Sequence, residues 1–148
     1  MLKVISFTIC PFVQRVTALL EAKGIPYKIE YISLSDKPDW FLEISPNAQV
    51  PLLLTENGTA LFESDAIVEY LEEAYPALRG DRSAEQKAMD RAWSYLGSKN
   101  FLVQCSAQRS PTLATLNERS LKLNKAFNTV EQQLSVHHRY FIDDQLSL

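Results

Sequence analysis

Leu2-Lys3-Val4-Ile5-Ser6-Phe7-Thr8-Ile9-Cys10-Pro11-Phe12-Val13, followed by a helical pattern up to Lys23-Gly24, puts a strand, a turn and a helix into one run. Residues 2 to 7 are β-prone and apolar on both sides of the alternation, which predicts a buried strand. Pro11 suits the first helical position, where its missing N–H costs nothing. Val13, Val16, Leu19 and Leu20 then recur at helical spacing, and Gly24 after Lys23 reads as a helix stop. Tyr27 to Ile32 alternates with period two and predicts a second strand. A strand, a crossover helix and a strand imply a parallel pair.

Downstream, Lys37-Pro38-Asp39-Trp40 opens a short helix to about Ile44, and Ser45-Pro46-Asn47-Ala48-Gln49 is loop chemistry. Val50-Pro51-Leu52-Leu53-Leu54 is β-like, with Pro51 confined to a strand start or edge. Asn57-Gly58 predicts a hairpin with a type I′ turn, which needs positive φ at both central residues. Glu63 or Ser64 caps a helix to about Ala74, with Ile67, Val68 and Leu71 on its apolar face and Tyr75-Pro76 as its stop. Ser83-Ala84-Glu85-Gln86 is a capping box ahead of a long helix to about Gln108, whose expected core face is Ala88, Ala92, Trp93, Leu96 and Val103. Ser110-Pro111 breaks it. A second long helix follows, with Leu116, Ser120, Leu123, Phe127, Val130 and Leu134 on one face, and residues 140–148 read as extended. The expected order is βαβαββα over residues 1–78, a linker over 79–84 and helices over 85–148. Two helices bury little core alone, so they need a neighbour to lean on.

Composition narrows the function. The 148 residues carry 15 Lys and Arg against 18 Asp and Glu, a net charge of −3, with 46% hydrophobic and 22% charged residues. This is a globular balance without the basic run that nucleic-acid binding uses. The four glycines are scattered, so neither a dinucleotide fingerprint nor a phosphate loop can be built. Two cysteines and two adjacent histidines, His137 and His138, do not supply a structural zinc site, so no metal is expected. No apolar run spans a membrane and none reads as a signal peptide, so a reducing cytoplasm is the expected setting.

Cys10 ends the strand loop and begins the helix. A sulfur there faces backbone N–H groups without intrahelical partners, a setting that favours negative charge. Arg15, one turn on, adds positive charge nearby. The plain alternative is a small buried hydrophobe. Position 13, where a dithiol motif has its second cysteine, is Val, so release of a mixed disulfide needs an external thiol. Cys105 reads as a helix-face residue.

Cys10-Pro11-Phe12 with Arg15, Lys37-Pro38-Asp39-Trp40, Ser45-Pro46-Asn47, Gln49-Val50-Pro51-Leu52, and Glu63-Ser64-Asp65-Ala66-Ile67 with Tyr70-Leu71 together resemble the cytosolic glutathione transferases. The likeness runs from about residue 3 to residue 78 and is to the omega-like, cysteine-dependent members. Ser6 and Thr8 are the weaker candidates for the hydroxyl that other classes use. The resemblance implies an α/β thioredoxin-like N-terminal domain followed by an incomplete all-α C-terminal domain. It implies glutathione as co-substrate, a homodimer, and a small disulfide or electrophile as second partner, with no nucleic acid and no membrane.

Cys10 is then the catalytic thiol, and Phe12, Lys37, Val50, Pro51, Glu63 and Ser64 form the glutathione site. Ser64 at a helix N-terminus suits the γ-glutamyl carboxylate. Glu63 suits the ammonium and Lys37 the glycyl carboxylate. The Val50 backbone, ahead of a cis Pro51 that the resemblance implies, suits the cysteinyl moiety. Each also has an ordinary structural use: Ser64 as a cap, Lys37 and Glu63 as solvated charges, Phe12 as packing. Thiol transfer, including dehydroascorbate-type reduction, ranks above conjugation, because a cysteine beside glutathione tends to form a disulfide. A non-catalytic binding or assembly module is the further alternative. The chain stops just after Ser147, where relatives continue through more helices. It is read either as a fragment of a longer transferase or as a short relative, and either would leave apolar surface exposed over residues 116–134.

Overall fold

The computed structural model describes residues 1–78, 80, 82–134 and 138–146. The chain divides into two compact units, Met1–Leu78 and Arg79–Leu148. The first contains β1 (Leu2–Ser6), α1 (Pro11–Lys23), β2 (Tyr27–Tyr31), α2 (Asp39–Ile44), β3 (Leu52–Leu54), β4 (Ala60–Phe62) and α3 (Ser64–Ala74). It is a thioredoxin-like βαβαββα unit. The second contains α4 (Ala84–Gln108) and α5 (Leu113–Gln133), two helices of an all-α architecture. Among the described residues no helix is long and apolar enough to cross a membrane.

The sheet order is β2-β1-β3-β4. The β1–β2 pair is parallel, as the intervening helix requires. The β1–β3 and β3–β4 pairs are antiparallel. The Ile5–Leu52 pair buries one face of the sheet against Phe41 of α2, and Ile44, Val50 and Leu54 pack around that cluster. Alternation turns the neighbouring pair, Val4 and Leu53, to the other face, where both are also fully buried. There α1 and α3 pack together and bury Val13, Val16, Leu19, Leu20, Ile67, Val68 and Leu71. Gly24 ends α1 in the left-handed conformation (φ 64°), where a Cβ would be strained.

The expected type I′ hairpin is not the one that forms. Gly58 N–H donates to Thr55 O at 3.0 Å and Thr55 N–H to Thr59 O at 2.9 Å. Gly58 takes φ 81° and Asn57 does not take positive φ. The loop therefore has three residues, with Glu56 and Asn57 at the turn and Gly58 as the left-handed residue that closes the bulge.

In the second unit the capping box is present. The Ser83 hydroxyl accepts from Gln86 N–H at 3.3 Å, and the Gln86 side chain accepts from Ser83 N–H at 3.0 Å. Thr112 caps α5 in the same sense, accepting from Thr115 N–H at 3.2 Å. The apolar faces are only partly covered: Trp93, Leu96, Val103, Leu123 and Val130 are half-buried. Ala88 and Ala92 lie in solvent, and so do Leu116, Phe127 and Leu134. Trp93 and Phe141 meet edge to face at 5.0 Å.

Residues 140–146 bend rather than extend. Tyr140 N–H donates to Asp143 O, and the Asp143 and Asp144 side chains accept from Gln145 and Arg139 N–H. Short acidic side chains offer the backbone an alternative to extended structure. Ser147 and Leu148 lie outside the described residues, as does His137. Helix α5 stops at Gln133, so His138 is not on a helical face; its Nδ1 lies 3.8 Å from Asp144.

Candidate glutathione site

A cleft of about 120 Å³ in the first unit is lined by Phe12, Asn47, Gln49, Val50, Pro51, Glu63, Ser64 and Asp65. Three segments meet there: the first turn of α1, the loop before β3, and the start of α3. Of the residues singled out in the sequence, Phe12, Val50, Pro51, Glu63 and Ser64 are brought together. Cys10 and Lys37 are not among the lining residues.

The Val50–Pro51 bond is cis. Pro51 and Leu52 are buried, so the segment is anchored on its core side while Gln49 is exposed. The preceding loop is closed by Ser45. Its hydroxyl accepts from Gln49 N–H and donates to Gln49 O, both at 3.2 Å, and Ala48 N–H donates to Ser45 O. Ala48 sits at φ 51°, a conformation that L residues adopt rarely. Its carbonyl accepts from Lys37 Nζ at 2.9 Å. Lys37 thus ties the loop at Ala48, between the lining residues Asn47 and Gln49 in sequence.

Glu63 occupies the position before α3 with φ 64° and ψ 119°. A non-glycine residue there is strained, and such strain concentrates at ligand sites. Its side chain makes no capping hydrogen bond. It accepts instead from Asn47 Nδ2 at 2.8 Å. The first N–H groups of α3 therefore receive no cap from Glu63, and Ser64, itself buried, begins the helix at the cleft. N–H donors, a positive dipole end and a hydroxyl are the chemistry that can receive an anion. Asp65, next along, forms an ion pair with Arg15 of α1.

Cys10 occupies the N-cap position of α1 with extended backbone, and its carbonyl accepts from Gln14 N–H at 2.9 Å. The Cys10 side chain makes no capping hydrogen bond. The residue is only 5% exposed. Ser6 is buried and donates to Phe7 O, while Thr8 is exposed. Both cysteines are free thiols, and Cys105 is half-buried on α4. Among the described residues no group of three His, Cys, Asp or Glu side chains is placed to hold a metal ion.

Sequence reasoning gave no role to Asn47, Gln49 or Asp65, although all three belong to the quoted motifs. The Asn47–Glu63 contact joins residues 16 apart through two irregular backbone positions, and no local pattern encodes it. The sequence placed Arg15 as a charge near Cys10. Its pairing with Asp65 needs the helix packing to be known.

Residues 9–74, which include every lining residue, match the family described as "Glutathione S-transferase, N-terminal domain". "Glutathione S-transferase omega-1" of Sus scrofa is 34% identical over 151 residues, across 100% of this chain and 62% of its own length. "Glutathione S-transferase DHAR2" of Arabidopsis thaliana is 52% identical over 67 residues, 45% of this chain and 31% of its own. The crystal structure of glutathione transferase Omega 3C from Trametes versicolor superposes with a TM-score of 0.86 at 27% identity, covering 99% of this chain and 63% of that one. The chain spans less than two thirds of the length of each of these relatives. The match of this whole chain to 62% of an omega protein, with the family pattern carried by the residues around the cleft, means that this chain belongs to the glutathione transferase superfamily and is omega-like within it.

Proposed function

We propose that this protein is a glutathione-dependent thiol transferase whose nucleophile is Cys10. The observation that carries the reading is the cleft itself. The start of α3 with the Ser64 hydroxyl, the Glu63 carboxylate and the Val50–Pro51 backbone converge on one small volume. Glutathione offers a carboxylate, an ammonium and a peptide edge in matching order. At about 120 Å³ the cleft seats one end of the tripeptide, the γ-glutamyl end, and leaves the rest along the loop of residues 45–51. Lys37, held at that loop, meets the glycyl carboxylate, and Phe12 packs beside the cysteinyl moiety. The glutathione domain is residues 1–78, with 79–84 as linker and 85–148 as helical part.

In the first step the Cys10 sulfur attacks the glutathione sulfur of a mixed disulfide. A Cys10–glutathione bond forms, the substrate's S–S bond breaks, and the substrate leaves as a thiolate that takes a proton. In the second step the thiolate of another glutathione attacks that bond, giving glutathione disulfide and returning the Cys10 thiolate. The net exchange converts the mixed disulfide and one reduced glutathione into the substrate thiol and glutathione disulfide. Assembly as a homodimer in a reducing cytoplasm belongs to the same reading and rests on the resemblance.

The low exposure of Cys10 favours a second reading, a glutathione-binding module without turnover. Conjugation to electrophiles is the third. The variant Cys10→Ser separates them. Thiol transfer predicts loss of disulfide exchange by at least ~100-fold with glutathione affinity kept within ~3-fold. Exchange that survives in the variant contradicts the role of Cys10. A wild-type protein that binds glutathione but exchanges no disulfide supports the binding module.

A further inference from the structure

Two of the residues that line the cleft are acids, Glu63 and Asp65, and they flank Ser64. Glutathione carries two carboxylates and one ammonium, so its net charge is negative. A second uncompensated carboxylate beside Ser64 would repel it. Glu63 is engaged by Asn47 and is the natural partner of the ammonium. Asp65 is engaged by Arg15, which rises from the first turns of α1. The Arg15 side chain is 19% exposed and the Asp65 side chain 46%, so the guanidinium approaches from the protein side and leaves part of the carboxylate toward solvent. The same pair ties the helix that begins at Cys10 to the helix that begins at Ser64. At the other ends of these helices, Lys23 pairs with Glu72 at 2.7 Å and donates to Pro76 O, so α1 and α3 are clamped together without Arg15 as well.

We propose that Arg15 is a charge-compensating, positioning residue of the cleft: it cancels the Asp65 carboxylate at the start of α3, so that Ser64 and the adjoining N–H groups receive an anionic ligand. The inference rests on the reading of the cleft as a glutathione site. It differs from a merely structural bridge in one respect. If Arg15 acts by cancelling charge, removing the carboxylate repairs the loss of the guanidinium. If it acts only as a tie, removing both partners leaves the tie broken.

The test is glutathione affinity, measured by titration calorimetry at low and high salt, for the wild type, Arg15→Gln, Asp65→Asn and the double variant. Arg15→Gln should weaken binding roughly tenfold at low salt, and the deficit should shrink at high salt. Asp65→Asn alone, which keeps the guanidinium and removes the repelling charge, should bind about threefold more tightly than wild type. The double variant should return to within about threefold of wild type. Equal weakening in the double variant and Arg15→Gln, or weakening in Asp65→Asn, overturns charge compensation in favour of a tie. If Arg15→Gln does not fold, the Asp65→Asn result decides alone. A folded wild-type protein without glutathione affinity overturns the glutathione reading, and this inference with it.

Discussion

The two units differ in how they are held together. In residues 1–78 the helical and strand periodicities end in burial: Val4, Ile5, Leu20, Phe41, Leu52, Leu53, Ile67 and Leu71 are removed from water on both faces of the sheet. In residues 79–148 equally clear helical periodicity does not. Among the described residues only Asp90 and Ala107 there are buried, and α5 buries none. An apolar cavity of about 340 Å³ lies between α4, Val130 and residues 140–146. What defines the second unit is local chemistry: the Ser83 and Thr112 caps, and the Arg82–Asp90 pair at 2.8 Å, both partners largely buried. A period of 3.6 specifies a helix and the face it would bury. It does not supply the element that covers that face.

The largest effect that sharpens this contrast is a pair of matched truncations. Phe41 is fully buried against Ile5 and Leu52, beside Val50 at the cleft, while Phe127 of α5 is 53% exposed. Phe41→Ala should cost about 3–5 kcal/mol and Phe127→Ala no more than about 0.5. Amide exchange of β1 and β3 reads the first and amide exchange of α4 and α5 the second, so each unit is followed without assuming a single unfolding transition. Comparable costs would mean that the second unit has a core after all.

A middle-sized effect falls on the caps. Ser83→Ala removes the acceptor for Gln86 N–H and should destabilise α4 by about 1 kcal/mol, read as faster exchange in its first two turns. No change there would show that α4 is held by packing rather than by its cap.

The smallest effect is electrostatic. The Ser83 hydroxyl, and then the backbone N–H of Glu85 itself, hold the Glu85 carboxyl below its ordinary value of 4.5. A depressed carboxyl stabilises the fold above its unfolded value, and that contribution fades as pH falls through the folded one. Glu85→Gln should therefore lower the melting temperature slightly at pH 7 and leave it unchanged at strongly acidic pH. A difference that grows toward acid would reverse the sign and refute the assignment.

Much of the first unit was legible because its signals are local and consistent. Pro11, Gly24, Pro38 and Tyr75-Pro76 mark element ends within a residue or so, and the parallel pair follows from the crossover. The hairpin was legible as a hairpin but not by turn type, since Asn-Gly suits both a two-residue turn and the last two positions of a three-residue loop. Five of the seven singled-out site residues share the cleft. The burial of Cys10, the engagement of Lys37 by Ala48, and the positive φ of Ala48 and Glu63 were not legible, because each depends on how two distant segments meet. The apolar face of α4 reads as core because periodicity alone is available there, whereas exposed apolar surface over residues 116–134 is the expectation for α5, and Leu116, Phe127 and Leu134 are exposed; exposure is a property of what surrounds a helix.

The central claim is that Cys10, beside a glutathione cleft, forms a mixed disulfide with glutathione despite its 5% exposure. Peptide mass spectrometry after incubation of the folded protein with glutathione disulfide tests it most directly. One glutathione is expected on Cys10, removed again by reduced glutathione. A folded protein whose Cys10 stays unmodified, with or without an adduct on Cys105, would contradict it.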